Sequence, residues 1–481
     1  MAELSGGGFR GSVPSELKCE RIHLMGVNGA GMSSLAKLLS GLGYEVSGCD
    51  LERGHYLEEL EALGVVCQTG HTRDHVEQFK PDLLIYSSAV RPNCEELAAA
   101  REKGVRTVRR GEALSWLFNA AEGVGVAGTH GKTTTSSMIG LILSRAGLSP
   151  TLYVGGEMRD MGTNAVLGKG PRKLFVSELD ESDGSFEFFH PSLTIITNVD
   201  WDHVDHFASR DEVVAAFVRF AEGRKAGAPL VVCAEDAGAQ KMLQVLAEHG
   251  DTCPILRYGW GASWEWGAFD LTPKPGGGIT CRVCHEGKEL GVLKLAVSGE
   301  HNVLNALAAL AAADALGVPF KAAAATLADF HGAVRRLQVM GERDGVLVMD
   351  DYAHHPTEAA ATLSAVRGIY PNRRLLLVFQ PHRYTRTAAF SEALASVLMK
   401  ADSVLLLPIY SAGEEALPTV SSEDIAKKIN GAGGHCFVCA DMEEAARRLA
   451  TMAREGDLLL TMGAGNVFRV GTEFISDVKR P

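Results

Sequence analysis

Apolar residues along the chain fall into short unbroken runs separated by longer stretches with helical spacing, and the runs stop repeatedly at a glycine, a histidine or a carboxylate. Residues 22–25, 45–49, 65–67 and 83–86 read as strands. Between the first two, Met32, Leu35, Leu38, Leu39 and Leu42 share one helical face that Gly41 and Gly43 bring to a stop. A second series starts at 123–127, passes a glycine-rich loop into a helix carrying Met138, Ile139, Leu141 and Ile142, closed by Gly147, and continues with buried-type strands at 174–176 and 193–197. Ser209 and Glu212 are spaced as a capping box ahead of an amphipathic helix over 213–220. Residues 264–295 alternate like an antiparallel patch, and 302–316 form an alanine-rich helix. A third series has strands at 346–349, 375–379, 404–407 and 458–461, each followed by a polar loop. Strands that alternate with helices and end in such loops predict doubly wound α/β units with sites at the carboxyl ends of the strands. Three units are expected: 1–120, 121–333 and 334–481.

Composition narrows what those sites can hold. The 481 residues suffice for several cores, and a 46% hydrophobic content excludes disorder. With 59 Asp+Glu against 47 Lys+Arg, the net charge of -12 makes the chain a poor general partner for nucleic acid or anionic lipid. Any phosphate must therefore be held by a local device. Residues 1–8 lack a basic region followed by an apolar stretch, and no window is apolar enough to span a bilayer, so a cytoplasmic protein without membrane insertion is expected. Ten cysteines are too sparse for a disulfide scaffold and are expected as free thiols. Cys281 with Cys284 and Cys436 with Cys439 have the spacing of a zinc knuckle, with His285 and His435 beside them. Both pairs fall on strands, where residues three apart point to opposite faces, so no zinc is expected there. Oligomeric state stays open between monomer and homodimer.

The local devices are visible. Gly128, Thr129, His130, Gly131, Lys132, Thr133 and Thr134 lie between a strand and a helix. Backbone N–H groups in such a turn can curl around phosphate oxygens, Lys132 can neutralise β/γ charge and Thr133 can hold Mg²⁺. The strict phosphate-loop pattern would need glycine at position 126, which is valine. A second turn, Gly26-Val27-Asn28-Gly29-Ala30-Gly31, approximates the dinucleotide fingerprint, with Asn28 in place of its second glycine and Asp50 at the distance of a ribose-reading carboxylate. Nicotinamide dinucleotide, another diphosphate such as a nucleotide sugar, and a bare tight turn are all compatible with it. Acidic runs at 178–183 and 200–206 follow strands and supply Glu178 and His203 as candidate Mg²⁺ ligands beside a triphosphate. Asp351, Tyr352, His354, His355, His382, Arg383 and Arg386 gather carboxylate, imidazole and guanidinium on two loops, a set suited to capturing a carboxylate or a phosphate.

Together with Asn198, Asp202-His203, the 301–306 run, Arg335-Arg336 and Gly463-Ala-Gly465, these motifs resemble the Mur ligases over nearly the whole chain, and within them the branch that adds a single L-alanine. The resemblance implies three domains: a Rossmann-like N-terminal domain for the UDP-sugar, a central ATPase domain of the phosphate-loop type, and a Rossmann-like C-terminal domain that closes on the amino acid. It implies ATP and Mg²⁺ as cofactors, and amide formation between UDP-N-acetylmuramate and L-alanine in peptidoglycan precursor synthesis. Position by position it assigns Lys132, Glu178, His203 and His354 to catalysis. Residues 128–134 with Asn302, Asn305, Arg336 and Asp351 would bind ATP, and Thr133, Glu178 and His203 the metal. Gly26, Asn28, Gly29, Ala30, Gly31, Asp50 and His71 would bind the UDP-sugar. Tyr352, His354, Arg383 and Arg386 would surround the amino acid. Several sister ligases carry a carbamylated lysine downstream of the metal histidine; here that position is Val218 and the next lysine is Lys225, so no carbamate is expected. A ligase that accepts a tripeptide, a nicotinamide oxidoreductase and a non-catalytic nucleotide-binding module are the competing readings.

Overall fold

The structure, a computed structural model, describes residues 14–476. The first eight residues, on which the absence of a leader was read, lie outside it. Three sheets follow one another along the chain. The first is fully parallel and has the order β3-β2-β1-β4-β5, with β1 at Arg21–Met25, β2 at Glu45–Asp50, β3 at Val66–Thr69, β4 at Leu83–Tyr86 and β5 at Arg106–Arg109. Each strand is bounded by a helix, so each crossover returns the chain to the same end of the sheet.

The central sheet has ten strands: β6 Glu122–Ala127, β7 Thr151–Met158, β8 Thr163–Val166, β9 Leu174–Glu178, β10 Leu193–Ile196, β11 Leu230–Cys233, β12 Ile255–Trp260, β13 Trp266–Pro273, β14 Ile279–His285 and β15 Lys288–Leu295. Their order is β15-β14-β13-β12-β11-β10-β6-β9-β7-β8. The strand of the glycine-rich loop, β6, sits in the middle between β10 and β9, both parallel to it. The alternating stretch 264–295 is an antiparallel extension, β13 to β15. Helices Lys132–Arg145 and Glu300–Ala315 pack on one face through Met138, Ile139, Val303 and Leu307, all fully buried. Ser209 caps helix Arg210–Glu222 by accepting the Glu212 N–H at 3.3 Å, while the Glu212 carboxylate takes the N–H of Ala208. Val218 is buried in that helix, and Lys225 donates to the Ala121 carbonyl at 2.8 Å.

The third sheet has the order β16-β17-β21-β18-β19-β20, with β16 Gln338–Arg343, β17 Val346–Asp351, β18 Leu375–Phe379, β19 Ser403–Leu406, β20 Cys436–Val438 and β21 Leu458–Met462. Only β16 runs antiparallel to its neighbour. Two elements differ from the sequence reading. The strand expected at 346–349 extends through Asp350 and Asp351, which pair with Thr461 and Met462. Both carboxylates can stay in a buried strand because their oxygens are filled: Asp350 accepts from Thr461 Oγ1 at 2.6 Å and Arg335 Nε at 2.8 Å, and Asp351 from the N–H groups of Leu337 and Ala353 at 2.7 and 2.9 Å. The stretch 380–387, read as a loop, turns into helix Tyr384–Leu398 after Arg383 takes up a left-handed φ of 68°. Arg386 therefore lies in a first helical turn.

One core runs without a break from the first sheet into the central one. Helix Arg110–Asn119 leads from β5 to β6 and buries Phe118 completely, 5.6 Å from the Phe175 ring and edge-on to Phe189 at 5.3 Å. Truncating it would leave a cavity where two sheets meet. We expect Phe118→Ala to lower stability by about 3–5 kcal/mol, read from urea unfolding, whereas Leu63→Ala, 58% exposed, should change it by under about 0.5 kcal/mol.

Candidate active site

The loop after β6 is shaped by two glycines whose conformations other residues avoid. Gly128 has φ 131° and Gly131 φ 81°; a Cβ on Gly128 would meet Thr197 Oγ1 at 2.1 Å, and one on Gly131 would meet Asn305 Oδ1 at 2.6 Å. Val126 lies inside β6, buried, so no turn needs glycine there. Asn198 grips the loop from below, accepting the His130 N–H at 2.8 Å and donating to the His130 carbonyl at 2.9 Å. The loop opens directly into helix Lys132–Arg145, whose first N–H groups have no intrahelical partner. Lys132 Nζ donates to the carbonyls of Gly128 and Thr129 at 2.7 and 3.2 Å and to Glu181 Oε2 at 2.8 Å. Burial opposes its charge, but Glu181 and Asp180 outweigh burial and hold the ammonium well above its ordinary pKa.

Carboxylates at the end of β9 and a histidine after β10 converge beside it. Glu178 closes β9, and its Oε2 accepts from Thr133 Oγ1 at 2.9 Å and from the Gly155 N–H at 2.8 Å. Burial pushes its carboxyl above the ordinary range despite Lys132. Asp180, Glu181 and His203 form a second group whose ligand atoms lie within 4.8 Å of one another. Glu181 Oε1 is buried without a hydrogen-bond partner and stands 3.9 Å from His203 Nε2. A buried carboxyl oxygen left without a hydrogen bond is a poor arrangement for protein alone and a good one for a hard cation, so these residues fit Mg²⁺. Asp180 and Glu181 were not among the metal ligands read from the sequence, although they belong to the acidic run that supplied Glu178.

Two cavities meet at this point. One of about 270 Å³ lies between the central and third sheets, lined by Asn302, Asn305, His301, Arg336, Asp351 and Tyr258 among others. Its asparagines are ordered by the helix they sit on: Asn302 Nδ2 donates to the Ser298 carbonyl at 2.7 Å, and Asn305 Nδ2 to Asn302 Oδ1 at 3.2 Å. The other, about 740 Å³, is walled by all three sheets. The first contributes Gly29, Ala30 and Gly31, the central one Lys132, Thr133, Glu178 and His203, and the third Tyr352, His354, Arg383 and Arg386. His130, Gly131, Arg336 and Glu358 line both.

Most of the residues singled out in the sequence thus reach one of the two cavities. Gly26, Asn28, Asp50, His71, Gly128 and His355 line neither: Gly26 and Asn28 belong to the first glycine loop, Asp50 Oδ2 behind it accepts the Asn28 N–H at 2.8 Å, and His71 Nδ1 stands 3.2 Å from Cys49 Sγ. Arg383 and Arg386 arrive already engaged. Arg386 donates from Nε and Nη2 to both oxygens of Asp202, at 2.7 and 3.2 Å, both side chains 5% exposed; Arg383 donates to Asp205 at 2.6 Å. Arg336 keeps its guanidinium for the cavities, 3.5 Å from Glu358 and beside the Tyr352 ring. Arg335 is spent inside the third unit, on Asp350 and on the carbonyls of Gly463 and Gly465 at 2.6 and 2.8 Å. Sequence reading passed over Arg110 and Tyr153, which join the first sheet to the central one: Arg110 Nη1 donates to Tyr153 Oη at 2.7 Å, and Tyr153 donates to the Gly31 carbonyl at 3.0 Å. Nothing local marks either residue.

Three family models match in order: the Mur ligase family catalytic domain over 21–122, the Mur ligase middle domain over 126–313, and the Mur ligase glutamate ligase domain over 335–465. A UDP-N-acetylmuramate–L-alanine ligase of Kineococcus radiotolerans is 44% identical over 461 residues, covering 95% of this chain and 96% of its own. The protein of the same description in Desulfatibacillum aliphaticivorans is 40% identical, covering 95% and 98%. Among solved structures, the UDP-N-acetylmuramate-alanine ligase of Thermotoga maritima matches at a TM-score of 0.79 and 28% identity over 95% of this chain and 98% of its own. A murein peptide ligase of Psychrobacter arcticus matches at 0.73 and 26%, over 96% and 100%. Likeness of that extent, running through all three units and through the loops that wall the cavities, makes this chain a member of the Mur ligase family.

Proposed function

We propose that the chain is an ATP-dependent ligase that joins L-alanine to the lactyl carboxylate of UDP-N-acetylmuramate, in cytoplasmic peptidoglycan precursor synthesis. The observation that carries this reading is the 740 Å³ cavity in which a glycine loop, a phosphate loop with carboxylates, and an arginine–histidine cluster face one another from three separate sheets. A carboxylate cannot acylate an amine directly, because its charge repels the nucleophile and oxide does not leave. The carboxylate attacks the γ-phosphorus of ATP, ADP departs, and the resulting acyl phosphate is attacked by the amine with loss of phosphate. The three units that would hold the reactants are 1–120, 121–333 and 334–481.

In this scheme residues 128–134 cradle the triphosphate. Asn302, Asn305, Arg336 and Asp351 border the nucleoside cavity. Lys132 exchanges Glu181 for phosphate oxygen and offsets charge on the transferring group. Thr133, Glu178 and His203, with Asp180 and Glu181 beside them, would hold Mg²⁺, which supplies charge neutralisation on the phosphates when bound. Gly29, Ala30 and Gly31 present backbone to the UDP diphosphate, with Gly26 and Asn28 shaping that turn and Asp50 and His71 toward the nucleoside. Tyr352, His354, Arg383 and Arg386 surround alanine. Burial and then Arg386 lower the pKa of His354 to about 4, so its imidazole is neutral at physiological pH. Its Nδ1 lies 3.1 Å from the Tyr352 carbonyl; donation there leaves Nε2 as an acceptor that can orient the attacking amine.

Closure of the third unit over the central one supports water exclusion from the acyl phosphate. It is carried by Asp202–Arg386, Asp205–Arg383, Thr357 Oγ1 donating to Asp200 at 2.7 Å, and His130 between Asp200 and Glu358 at 3.2 and 3.6 Å. Burial disfavours charge on His130, but the bonds to Asp200 and Glu358 prevail and raise its pKa to about 9. A raised pKa means that this contact stabilises fully below the ordinary value of 6.5 and is lost as pH climbs through about 9.

Three outcomes are expected. Phosphate release should require ATP, UDP-N-acetylmuramate and free L-alanine together; release with a tripeptide in place of alanine would make the chain a peptide-adding ligase. Lys132→Ala should cut turnover by about a thousandfold or more while leaving UDP-sugar affinity, measured by calorimetry, within about threefold; near-normal turnover would remove the phosphate role. Arg386→Ala should raise the KM for alanine by about tenfold or more, and by far more than it raises the KM for ATP. Independently, the gap in thermal midpoint between wild type and His130→Asn should be widest below pH 6.5 and shrink as pH passes about 9.

A further inference from the structure

Where helices Arg73–Phe79 and Glu95–Glu102 pack on the first sheet, the first unit buries a set of polar side chains that the ligase reaction does not use. His23 comes from β1, Cys49 from β2, His75 from helix Arg73–Phe79 and Glu96 from helix Glu95–Glu102, and all four are buried, with exposures of 1%, 0%, 5% and 0%. One ligand atom from each lies within 4.8 Å of the others. Glu96 is the hub: Oε2 stands 3.1 Å from His75 Nδ1 and 3.3 Å from Cys49 Sγ, and Oε1 stands 2.8 Å from His23 Nε2.

That last approach is the informative one. His23 Nε2 and Glu96 Oε1 are both fully buried, and neither makes a hydrogen bond of acceptable geometry despite their separation. The other ring nitrogen of His23 is occupied by Ser47 Oγ at 2.8 Å. They meet as a buried pair at 2.8 Å whose proton is shared off-axis, and a cation held by the two atoms would take that proton's place.

We propose that His23, Cys49, His75 and Glu96 form a structural site for a borderline divalent cation of the zinc class, distinct from the catalytic Mg²⁺. Two imidazoles, one thiolate and one carboxylate are four ligands of the types that zinc takes in closed tetrahedral sites, and magnesium would not choose sulfur or two nitrogens. Binding removes the Cys49 thiol proton and any proton held between His23 and Glu96, releasing them to solvent. The site ties β1 and β2 to two helices immediately behind Asp50, whose carboxylate holds the Asn28 N–H of the first glycine loop. It would therefore stiffen that loop without touching the substrate. The proposal does not rest on the ligase reading.

The test uses the full chain, stripped with chelator and titrated with Co²⁺ or Zn²⁺ in excess Mg²⁺, which occupies the catalytic site. One Co²⁺ per chain should bind, with visible d–d bands of tetrahedral intensity and a thiolate-to-cobalt charge-transfer band. Cys49→Ser should lose the charge-transfer band, and the rise in melting temperature on adding Zn²⁺ seen in wild type should vanish. Should that variant fail to fold, X-ray absorption at the zinc edge of the wild-type protein decides: one sulfur with two imidazoles is expected. A sulfur-free or sulfur-rich shell, wild-type cobalt spectra without a charge-transfer band, or a charge-transfer band that survives Cys49→Ser overturns the site.

Discussion

Lys132 is a mostly buried ammonium, and the cavity is arranged around the need to keep that charge balanced. Burial alone would favour its neutral form. Glu181 at 2.8 Å, with Asp180 and Glu178 nearby, keeps it protonated. The same carboxylates then carry their own cost: Thr133 and the Gly155 N–H meet that of Glu178, while one Glu181 oxygen makes no hydrogen bond. Triphosphate and metal entering together would replace one balanced set by another, with phosphate taking over from Glu181 and metal from the lysine. Neither could enter alone without leaving a buried charge exposed to the low-dielectric interior.

The segment after β10 extends this balance to the third unit. Asp200, Asp202 and Asp205 follow one strand of the central sheet, and each meets a residue of the third: Thr357, Arg386 and Arg383. Burial raises the cost of Asp202 ionisation, yet Arg386 holds its carboxyl far below the usual range, so the pair stays charged in the closed arrangement. His203 sits between these aspartates in a left-handed conformation, φ 50°, and faces Glu181. One short stretch therefore serves the phosphate side and the closing side at once, which couples the position of the third unit to the state of the nucleotide site.

What could be read from sequence follows from how far each signal reaches. Central parallel strands are buried on both faces and appear as unbroken apolar runs, which is why 83–86 and 375–379 coincide with their strands. β5, β7, β8, β11, β12 and β16 are not visible in the sequence pattern: Thr151–Met158 carries two glycines and a glutamate, Arg106–Arg109 and Gln338–Arg343 are largely polar, and the others are short or interrupted by Arg257 and Gly259. Glycine-rich turns and acidic runs are local, so the residues that gather around the large cavity were largely visible. Arg110 and Tyr153 were not, because their proximity to Gly31 exists only once two sheets pack together. The carboxylates of Asp350 and Asp351 looked like a loop because a strand ending in two acids is costly until Thr461, Arg335 and the Leu337 N–H are in place.

The net charge of -12 sharpens the same point. An acidic chain that takes up anionic ligands cannot rely on its overall field, and three of the cations that line the large cavity are already committed. Lys132, Arg383 and Arg386 are each already paired with a carboxylate of the central unit. Under the proposed function, binding would then be an exchange of one anion for another at a preformed cation, in which the displaced Glu181 or Asp202 would have to find metal, solvent or a new partner. Such an exchange gains little from Coulomb attraction and much from geometry, since the incoming group competes with a carboxylate already in place. Selectivity for phosphate or amino-acid carboxylate thus rests on whether the ligand matches the donors better than the resident side chain, and on whether the unit that supplies the resident can move away.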